Sequence, residues 1–234
     1  MDDQTAQVEW RAAGPTQAVP VSSRFDDPYF SLDDGLAETR HVFLAANHLP
    51  ARFRPGFRIA ELGFGTGLNL FASLLAWRSA EVSGALHFTS FEAYPMAAPD
   101  MQRALSAFPA VARIAAPFLE QWATGARQIE LPDLKAEIII GDARRRLPQW
   151  QGAADAWFLD GFSPARNPQM WGADLLAEVA RHTRPKGTLA TYTAAGAVRR
   201  GLQDAGLRVE RIAGFGRKRH MTAARQVSAP EPPG

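Results

Sequence analysis

Residues 58–68 read RIAELGFGTGL, and this stretch decides the fold. A short apolar run stops at Leu62 and passes into a turn with three glycines, and helical spacing begins at Leu68. Glycine lets the backbone of such a turn adopt positive φ and approach a ligand closely, while the first turn of the new helix offers unpaired N–H groups. The stretch therefore predicts a strand, a ligand-binding turn and a helix.

The spacing of the glycines separates two classes of nucleotide cofactor. The dinucleotide fingerprint requires glycine at its first, third and sixth positions, and the sixth position counted from Gly63 is Leu68. The pattern Glu-x-Gly-x-Gly-x-Gly therefore favours S-adenosylmethionine over NAD, with a tight turn that binds no ligand as the alternative. The candidate cofactor-binding residues of this segment are Glu61, Gly63, Gly65, Thr66, Gly67 and Asn69.

The rest of the chain alternates short apolar runs with helical stretches, which is typical of a mostly parallel sheet. The predicted strands are 57–62, 85–91, 136–140, 155–159 and 188–193, and the predicted helices are 68–79, 99–107, 109–124, 173–183 and 195–205. Two final strands, 207–213 and 220–224, flank a glycine-rich turn and predict an antiparallel hairpin. Together these elements predict a Rossmann-like α/β fold of the class I S-adenosylmethionine-dependent methyltransferases, with a mostly parallel, seven-stranded sheet.

Length and composition predict one main domain with additions at both ends. The 234 residues are 46% hydrophobic and 21% charged, which suits a single packed core. Residues 1–50 are rich in proline, aspartate and aromatic residues, and we expect an N-terminal extension that covers the active site, extended except for a short helix near 36–48. Residues 51–226 form the predicted methyltransferase domain, and residues 227–234, with three prolines, form a predicted disordered tail.

The composition also argues against several classes of protein. The chain contains no cysteine, which excludes disulfides, thiolate metal sites and a cysteine nucleophile, and its five histidines lack metal-ligand spacing. The N-terminus begins with acidic residues and lacks the apolar segment of a signal peptide, and no apolar run reaches the length of a membrane span. We therefore expect a cytoplasmic protein without a metal and without a membrane partner.

Acidic residues close the second and third predicted strands, at the sheet edge where open α/β folds bind ligands. Glu92 ends the second strand, where a carboxylate can accept hydrogen bonds from both ribose hydroxyls of the cofactor. Asp142 closes the third strand and can accept a hydrogen bond from the adenine amino group. The alternatives are an ordinary strand-end acid for Glu92 and a helix N-cap for Asp142.

The fourth strand ends in a second segment with chemical character, DAWFLDGFSPARNP at 155–168. It resembles the loop with which amino-methylating enzymes present a polar group and an aromatic wall. A neutral amine must point its lone pair at the sulfonium methyl group, and Asp160 can orient the amine and help remove its proton. Asp160 is therefore expected to face both the acceptor and the methyl donor, and it is a candidate cofactor-binding residue as well. Phe162 can stack on a base or border the methyl group. The alternatives are a structural turn acid for Asp160 and a core aromatic for Phe162.

Several segments, taken in order, resemble the methyltransferase domain of MnmC-type bacterial enzymes of tRNA 5-methylaminomethyl-2-thiouridine biosynthesis. They are FDDPYFS at 25–31, DGLAETR at 34–40, the turn 63–69, the segment 157–171, GTLATYT at 187–193, VRRGL at 198–202 and GFGRKR at 214–219. The likeness covers nearly the whole chain apart from the tail, and it is more specific than any single glycine turn.

The resemblance implies methyl transfer to the aminomethyl nitrogen on C5 of the wobble uridine of tRNA, which is usually 2-thiolated. It also implies that Asp34 and Gly35 help to cover the cofactor and that Asp160 is the acid nearest the target amine. In bifunctional relatives a flavin-dependent oxidase domain follows and generates the amine. No second glycine fingerprint follows here, so we expect a stand-alone, MnmD-like form without flavin, whose amine is made by a separate enzyme or by the other part of a longer protein.

A tRNA substrate gives a role to the clusters of basic residues at 144–146, 199–200 and 217–220, because cations can follow a phosphate backbone and the anticodon loop. Arg166, Arg199 and Lys218 are the candidate RNA contacts, with a solvated surface as the alternative for each. Two rival functions remain open at this point. One is methyl or aminopropyl transfer to a small amine by an enzyme of the same fold, and the other is a non-catalytic RNA-binding module.

Overall fold

The computed structural model describes residues 5–12, 18–31 and 34–227. The strands are β1 (Val8–Ala12), β2 (Ala18–Ser22), β3 (Asp27–Pro28), β4 (Arg58–Leu62), β5 (Leu86–Glu92), β6 (Gln128–Leu131), β7 (Leu134–Ile140), β8 (Ala154–Leu159), β9 (Thr183–Thr191), β10 (Leu207–Ala213) and β11 (His220–Gln226). The α-helices are α1 (Gly35–Thr39), α2 (Leu68–Ser79), α3 (Ala98–Leu105), α4 (Pro109–Ala123), α5 (Ala143–Arg146), α6 (Ala173–Arg181) and α7 (Gly196–Asp204). Apart from Val227, the predicted disordered tail lies outside the described residues.

The main sheet has the strand order β10-β11-β9-β8-β4-β5-β7-β6. Its five inner strands from β9 to β7 are parallel, whereas β6, β10 and β11 pair in antiparallel fashion. The chain leaves β4 toward β5 on one side and later returns to β8 on the other side, so a crevice opens beyond the carboxyl end of β4. The predicted fold class and the C-terminal hairpin are confirmed.

The predicted count of seven strands is wrong, because β6 adds an eighth strand to this sheet. β6 pairs with β7 across a tight turn, and of its four residues only Ile129 is buried. Gln128 and Glu130 are exposed, so the segment lacks the apolar run by which the other strands were predicted. β6 forms because the tight turn places it beside β7, and its own residues do not indicate a strand.

The N-terminal extension is more structured than the predicted extended arm. β1, β2 and β3 form a separate three-stranded antiparallel sheet. The helix predicted near 36–48 is three consecutive short pieces, namely α1, a π-helical turn (Arg40–Leu44) and a 3-10 turn (Ala45–Asn47). His48 then ends the helical stretch in the left-handed region, with φ of 56°.

Side chains of the main sheet divide between two cores, as the two-residue period of a strand requires. On β8, Ala156 and Phe158 face one core together with α2, α4 and the π-helical turn. Trp157 and Leu159 face the other core, which α6 and α7 complete. β8 is buried along its whole length, as expected for a central parallel strand covered on both faces. The rigid sheet fixes where its carboxyl-terminal loops lie.

Phe118→Ala tests the core between the main sheet and the helices α2 and α4. Phe118 is fully buried on α4, with its ring edge-on to Phe71 at 5.3 Å. Deleting a buried phenyl ring leaves a cavity, so we expect the free energy of unfolding to fall by about 3–5 kcal/mol. Urea denaturation measures the change. The control is Val227→Ala at a side chain that is 57% exposed, for which we expect a change of less than about 0.5 kcal/mol. Equal effects of the two substitutions would show that Phe118 is not packed in this core.

Candidate active site

A cavity of about 1530 Å³ opens at the carboxyl ends of the parallel strands. The predicted site residues that line it are Gly35, Gly63, Gly65, Thr66, Asn69, Glu92, Asp142, Asp160, Phe162, Arg166 and Lys218. Four predicted site residues do not line it, namely Asp34, Glu61, Gly67 and Arg199. A pocket for one drug-sized ligand is typically about 300–1000 Å³, so this cavity has room for a cofactor and a second substrate.

The glycine turn after β4 touches the loop that carries Asp160. Gly63 has a φ of 89°, and a Cβ at this position would lie 1.9 Å from the carbonyl oxygen of Asp160. The Gly63 N–H donates to the carbonyl of Phe91 at 2.9 Å, which joins the turn to β5 as well. Only glycine fits here, because a side chain would separate the two loops. Gly67 has a different role, since it precedes α2 with a φ of 79°.

Glu92 links the end of β5 to the glycine turn. Its Oε2 accepts a hydrogen bond from the Gly65 N–H at 2.9 Å, and its Oε1 accepts one from the Tyr94 N–H at 2.7 Å. Burial raises the pKa of this carboxyl group, and the backbone N–H groups oppose the shift. Glu92 also lines the cavity. Glu92 can therefore hold the turn and accept from a ligand at the same time.

Asn69 connects three polar side chains at the base of the cavity. Its Nδ2 donates to Asp160 Oδ2 at 2.6 Å and to Glu61 Oε1 at 2.8 Å, and its Oδ1 accepts from the Thr39 hydroxyl at 2.9 Å. Ser90 donates a further hydrogen bond to Glu61 at 2.7 Å. Glu61 is fully buried beneath the turn, so it supports Asn69 and does not reach the cavity. This network fixes the orientation of the Asp160 carboxyl group.

Asp160 is the group in the cavity whose ionisation is most useful for chemistry near neutral pH. Burial raises the pKa of its carboxyl group to about 7, and the hydrogen bond from Asn69 opposes that shift. The carboxylate of Glu38 raises the pKa further, and the ammonium group of Lys218 lowers it. A perturbed acid in a cleft indicates a functional site, and this one can exchange a proton around pH 7.

An aromatic wall stands beside Asp160. The Phe162 ring stacks on Phe25 at 4.7 Å and meets Tyr29 edge-on at 5.2 Å. The Ser163 N–H donates to Asp27 Oδ2 at 2.8 Å, which ties the loop after β8 to the N-terminal sheet. The extension thus supplies part of the cavity wall. Phe25 and Tyr29 were not among the predicted site residues, although both lie in the segment FDDPYFS at 25–31.

Two predicted ligand residues serve as helix caps. Asp142 is the N-cap of α5 and accepts from the Arg144 N–H at 3.0 Å, as the alternative interpretation proposed. It also pairs with the Arg144 guanidinium group, whose hydrogen bond is the main cause of the lowered pKa of Asp142. Asp34 is the N-cap of α1 and accepts from the Ala37 N–H at 2.9 Å. Asp142 still lines the cavity, whereas Asp34 supports the helix that does.

The three candidate RNA contacts are in different environments. Arg166 lines the cavity and pairs with Asp26 at 3.1 Å. Lys218 also lines the cavity and pairs with Glu38 at 3.0 Å. Arg199 lies on α7, away from the residues that line the cavity, so the structure does not bring it together with the other two.

Two further properties concern membranes and metals. Within 5–12, 18–31 and 34–227, no helix is long and apolar enough to cross a bilayer. Over the same ranges, no group of three or more His, Asp or Glu side chains is arranged to hold a metal ion. Of the acids that line the cavity, Glu92 accepts from backbone N–H groups and Asp160 accepts from the Asn69 amide.

The parallel sheet, the glycine turn after its central strand and the acids at neighbouring strand ends define a Rossmann-like nucleotide-cofactor protein of the class I methyltransferase type. Residues 109–227 match the sequence profile of a family described as S-adenosyl-L-methionine-dependent methyltransferase. The chain belongs to this family, and its cofactor is S-adenosyl-L-methionine.

Several known proteins are similar to this chain. The bifunctional tRNA 5-methylaminomethyl-2-thiouridine biosynthesis protein MnmC of Aeromonas hydrophila subsp. hydrophila is 44% identical over 95% of the chain and 35% of its own length. The protein of the same name from Caulobacter sp. (strain K31) is 46% identical over 96% of the chain and 39% of its own length. The chain therefore spans little more than a third of these relatives.

Solved structures support the same fold. The crystal structure of MNMC2 from Aquifex aeolicus superposes with a TM-score of 0.76 at 25% identity, covering 98% of this chain and 73% of that chain. Spermidine synthase from Thermotoga maritima gives a TM-score of 0.57 at 13% identity, covering 95% of this chain and 69% of that chain. The second likeness concerns the fold alone.

Gly63→Ala tests the contact between the glycine turn and the Asp160 loop. The added methyl group would meet the Asp160 carbonyl, so the turn must shift, and we expect S-adenosylmethionine to bind at least about tenfold more weakly. Gly56→Ala is the matched control, because Gly56 also has positive φ, at 72°, but has open space around its Cβ position. Isothermal titration calorimetry gives both dissociation constants. Similar losses in the two variants would show that backbone strain, and not this contact, is responsible.

Proposed function

We propose that the protein transfers a methyl group from S-adenosylmethionine to the 5-aminomethyl nitrogen of the wobble (2-thio)uridine of tRNA, giving 5-methylaminomethyl-2-thiouridine, in the cytoplasm. The observation that carries the proposal concerns Asp160: burial raises the pKa of its carboxyl group to about 7, its backbone carbonyl lies against Gly63, and Phe162 on the same loop is part of an aromatic wall. The names of the MnmC relatives support the choice of tRNA as the substrate.

The glycine turn and the neighbouring strand ends are the proposed cofactor site. Gly63, Gly65 and Thr66 lie at the carboxyl end of β4, Glu92 ends β5, and Asp142 follows β7. The Glu92 carboxylate suits the ribose hydroxyls, and the Asp142 carboxylate suits the adenine amino group. When bound, the cofactor supplies an electrophilic methyl group on its sulfonium sulfur.

Asp160 is the proposed general base and orienting group. A protonated amine has no free lone pair, so it must lose a proton before it attacks the methyl group. The Asp160 carboxylate can accept that proton, and an Asp160 oxygen can then accept a hydrogen bond from a remaining N–H of the amine, which leaves the nitrogen lone pair free to attack. Because Asn69 donates to Asp160 Oδ2, the other carboxylate oxygen, Oδ1, is the one available to the amine. Fixing the amine in line with the methyl group contributes to the rate by itself.

The aromatic and basic residues around the cavity suit a nucleotide. Bases that are splayed out of an RNA loop stack on aromatic side chains, and Phe162 is the proposed platform. Arg144, Arg145, Arg146 and Arg166 line the same cavity and can approach phosphates of the anticodon loop. A separate enzyme that makes the aminomethyl group is a further proposed partner, since it would supply the substrate.

The direct test is methylation of tRNA that carries 5-aminomethyl-2-thiouridine, read by nucleoside mass spectrometry. We expect the wild type to form the methylamino nucleoside and Asp160→Asn to lower the rate by about 100-fold or more while cofactor affinity is retained. Asp174→Asn, in the exposed first turn of α6, is the control and should leave the rate unchanged. Absence of the product with wild-type enzyme, or transfer to a small polyamine in its place, would overturn the proposal.

The pH profile tests the base role of Asp160. The carboxylate form is the active form, so we expect kcat/KM to fall as pH decreases through about 7. Asn69→Ala removes the hydrogen bond that lowers the pKa of Asp160, so the inflection should move to higher pH. The substrate is the same in both profiles, and its own ionisations therefore cancel in the comparison. An inflection that stays in place in Asn69→Ala would exclude Asp160 as the titrating group.

A further inference from the structure

The ammonium group of Lys218 lies in a site that the chain itself builds at the cavity. Its Nζ is 3.0 Å from Glu38 Oε1 and 4.3 Å from the centroid of the Tyr192 ring. A carboxylate and an aromatic face together bind alkylammonium ions, through a charge-assisted hydrogen bond and a cation–π contact. All three residues line the cavity that contains Asp160. The site is therefore suited to a primary ammonium group other than that of Lys218.

The helix that carries Glu38 and the ring of Tyr192 are held by contacts that do not involve Lys218. Glu38 lies on α1, which Asp34 caps, and its side chain is only 17% exposed. Tyr192 follows β9, and its hydroxyl donates to the Gly161 carbonyl at 2.8 Å. That hydrogen bond fixes the ring next to the loop that carries Asp160. The site thus combines a ring that is fixed by a hydrogen bond with a carboxylate on a capped helix.

Lys218, in contrast, is weakly held. Its side chain is 49% exposed, and it lies in the turn between β10 and β11. Ion pairs with a half-exposed partner contribute little to stability, since water competes for the charge. A ligand can therefore displace the Lys218 ammonium at low cost without disturbing the sheet.

The site is electrostatically coupled to Asp160. Glu38 raises the pKa of the Asp160 carboxyl group and Lys218 lowers it, in addition to the larger effect of burial. The pKa of the Tyr192 hydroxyl is raised by burial first and then by Asp160, Asp27 and Glu38. Three carboxylates thus act on the same small volume, and a cation in it is favoured over a neutral or anionic group.

We propose that Glu38 and Tyr192 form the subsite that recognises the protonated aminomethyl group of the substrate, and that Lys218 occupies this subsite until the substrate displaces it. This inference rests on the proposed function. The ammonium group first binds at Glu38 and Tyr192, and its proton then passes to the Asp160 carboxylate. The neutral nitrogen forms the new N–C bond while the C–S bond breaks and its electron pair stays on sulfur.

The direction in which KM for tRNA changes in Lys218→Met distinguishes this role of Lys218 from a phosphate contact. If Lys218 competes with the substrate ammonium, Lys218→Met should lower the KM for tRNA about two- to tenfold, whereas loss of a phosphate contact would raise KM. Lys135→Met, on an exposed position of β7, is the matched control for loss of one lysine and should leave KM unchanged. A higher KM in Lys218→Met would overturn the inference.

Glu38 gives the second measurement. Glu38→Gln keeps the size of the side chain but removes its charge, so we expect KM for tRNA to rise about tenfold or more. The dissociation constant of S-adenosylmethionine, measured by calorimetry, should stay unchanged. A comparable loss of cofactor affinity would assign the subsite to the cofactor and overturn the inference. If Glu38→Gln does not fold, as judged by circular dichroism, the sign of the Lys218→Met effect decides. Wild-type enzyme that forms no methylated nucleoside would instead refute the proposed function.

Discussion

The side-chain amide of Asn69 joins the parts of the molecule on which the site depends. One amide group donates to Asp160 on the loop after β8 and to Glu61 on β4, and it accepts from Thr39 in the N-terminal extension. Hydrogen bonds to charged groups contribute about 1.5–3 kcal/mol each, and an unpaired buried carboxyl group would cost more than that. The amide therefore constrains the acid, the strand and the extension together.

This constraint explains why acids at one sheet edge have different roles. Glu61 is buried and supports Asn69, Glu92 holds the glycine turn through backbone N–H groups, and Asp142 caps α5. Asp160 differs, since burial brings its pKa to about 7 at the cavity wall. The same residue type thus provides support, capping and proton exchange according to its partners, and carboxyl groups with separated pKa values are typical of active sites.

Local sequence patterns predicted a helix or strand well where its own residues and their immediate neighbours were sufficient to indicate it. The helix 68–79 and the strand 207–213 have the predicted bounds, because a glycine directly precedes each of them, Gly67 before the helix and Gly206 before the strand. The strand β6 and the N-terminal sheet were missed, since their pairing depends on partners elsewhere in the chain. Only part of the site was predicted, again because some of its features depend on contacts between distant parts of the chain. Strand-end acids are visible in sequence, whereas the burial of Glu61 and the wall of Phe25 and Tyr29 arise only from folding.

The cavity is assembled from two structural units, and this arrangement has an evolutionary consequence. The main sheet contributes the glycine turn and Glu92, while the small N-terminal sheet contributes aromatic residues and meets the Asp160 loop through Asp27. Tyr29, directly after the last strand of the small sheet, also packs against the glycine turn, since a Cβ at Gly65 would lie 3.1 Å from its ring. The two units must therefore evolve together, because a substitution in the aromatic wall also reaches the turn that binds the donor.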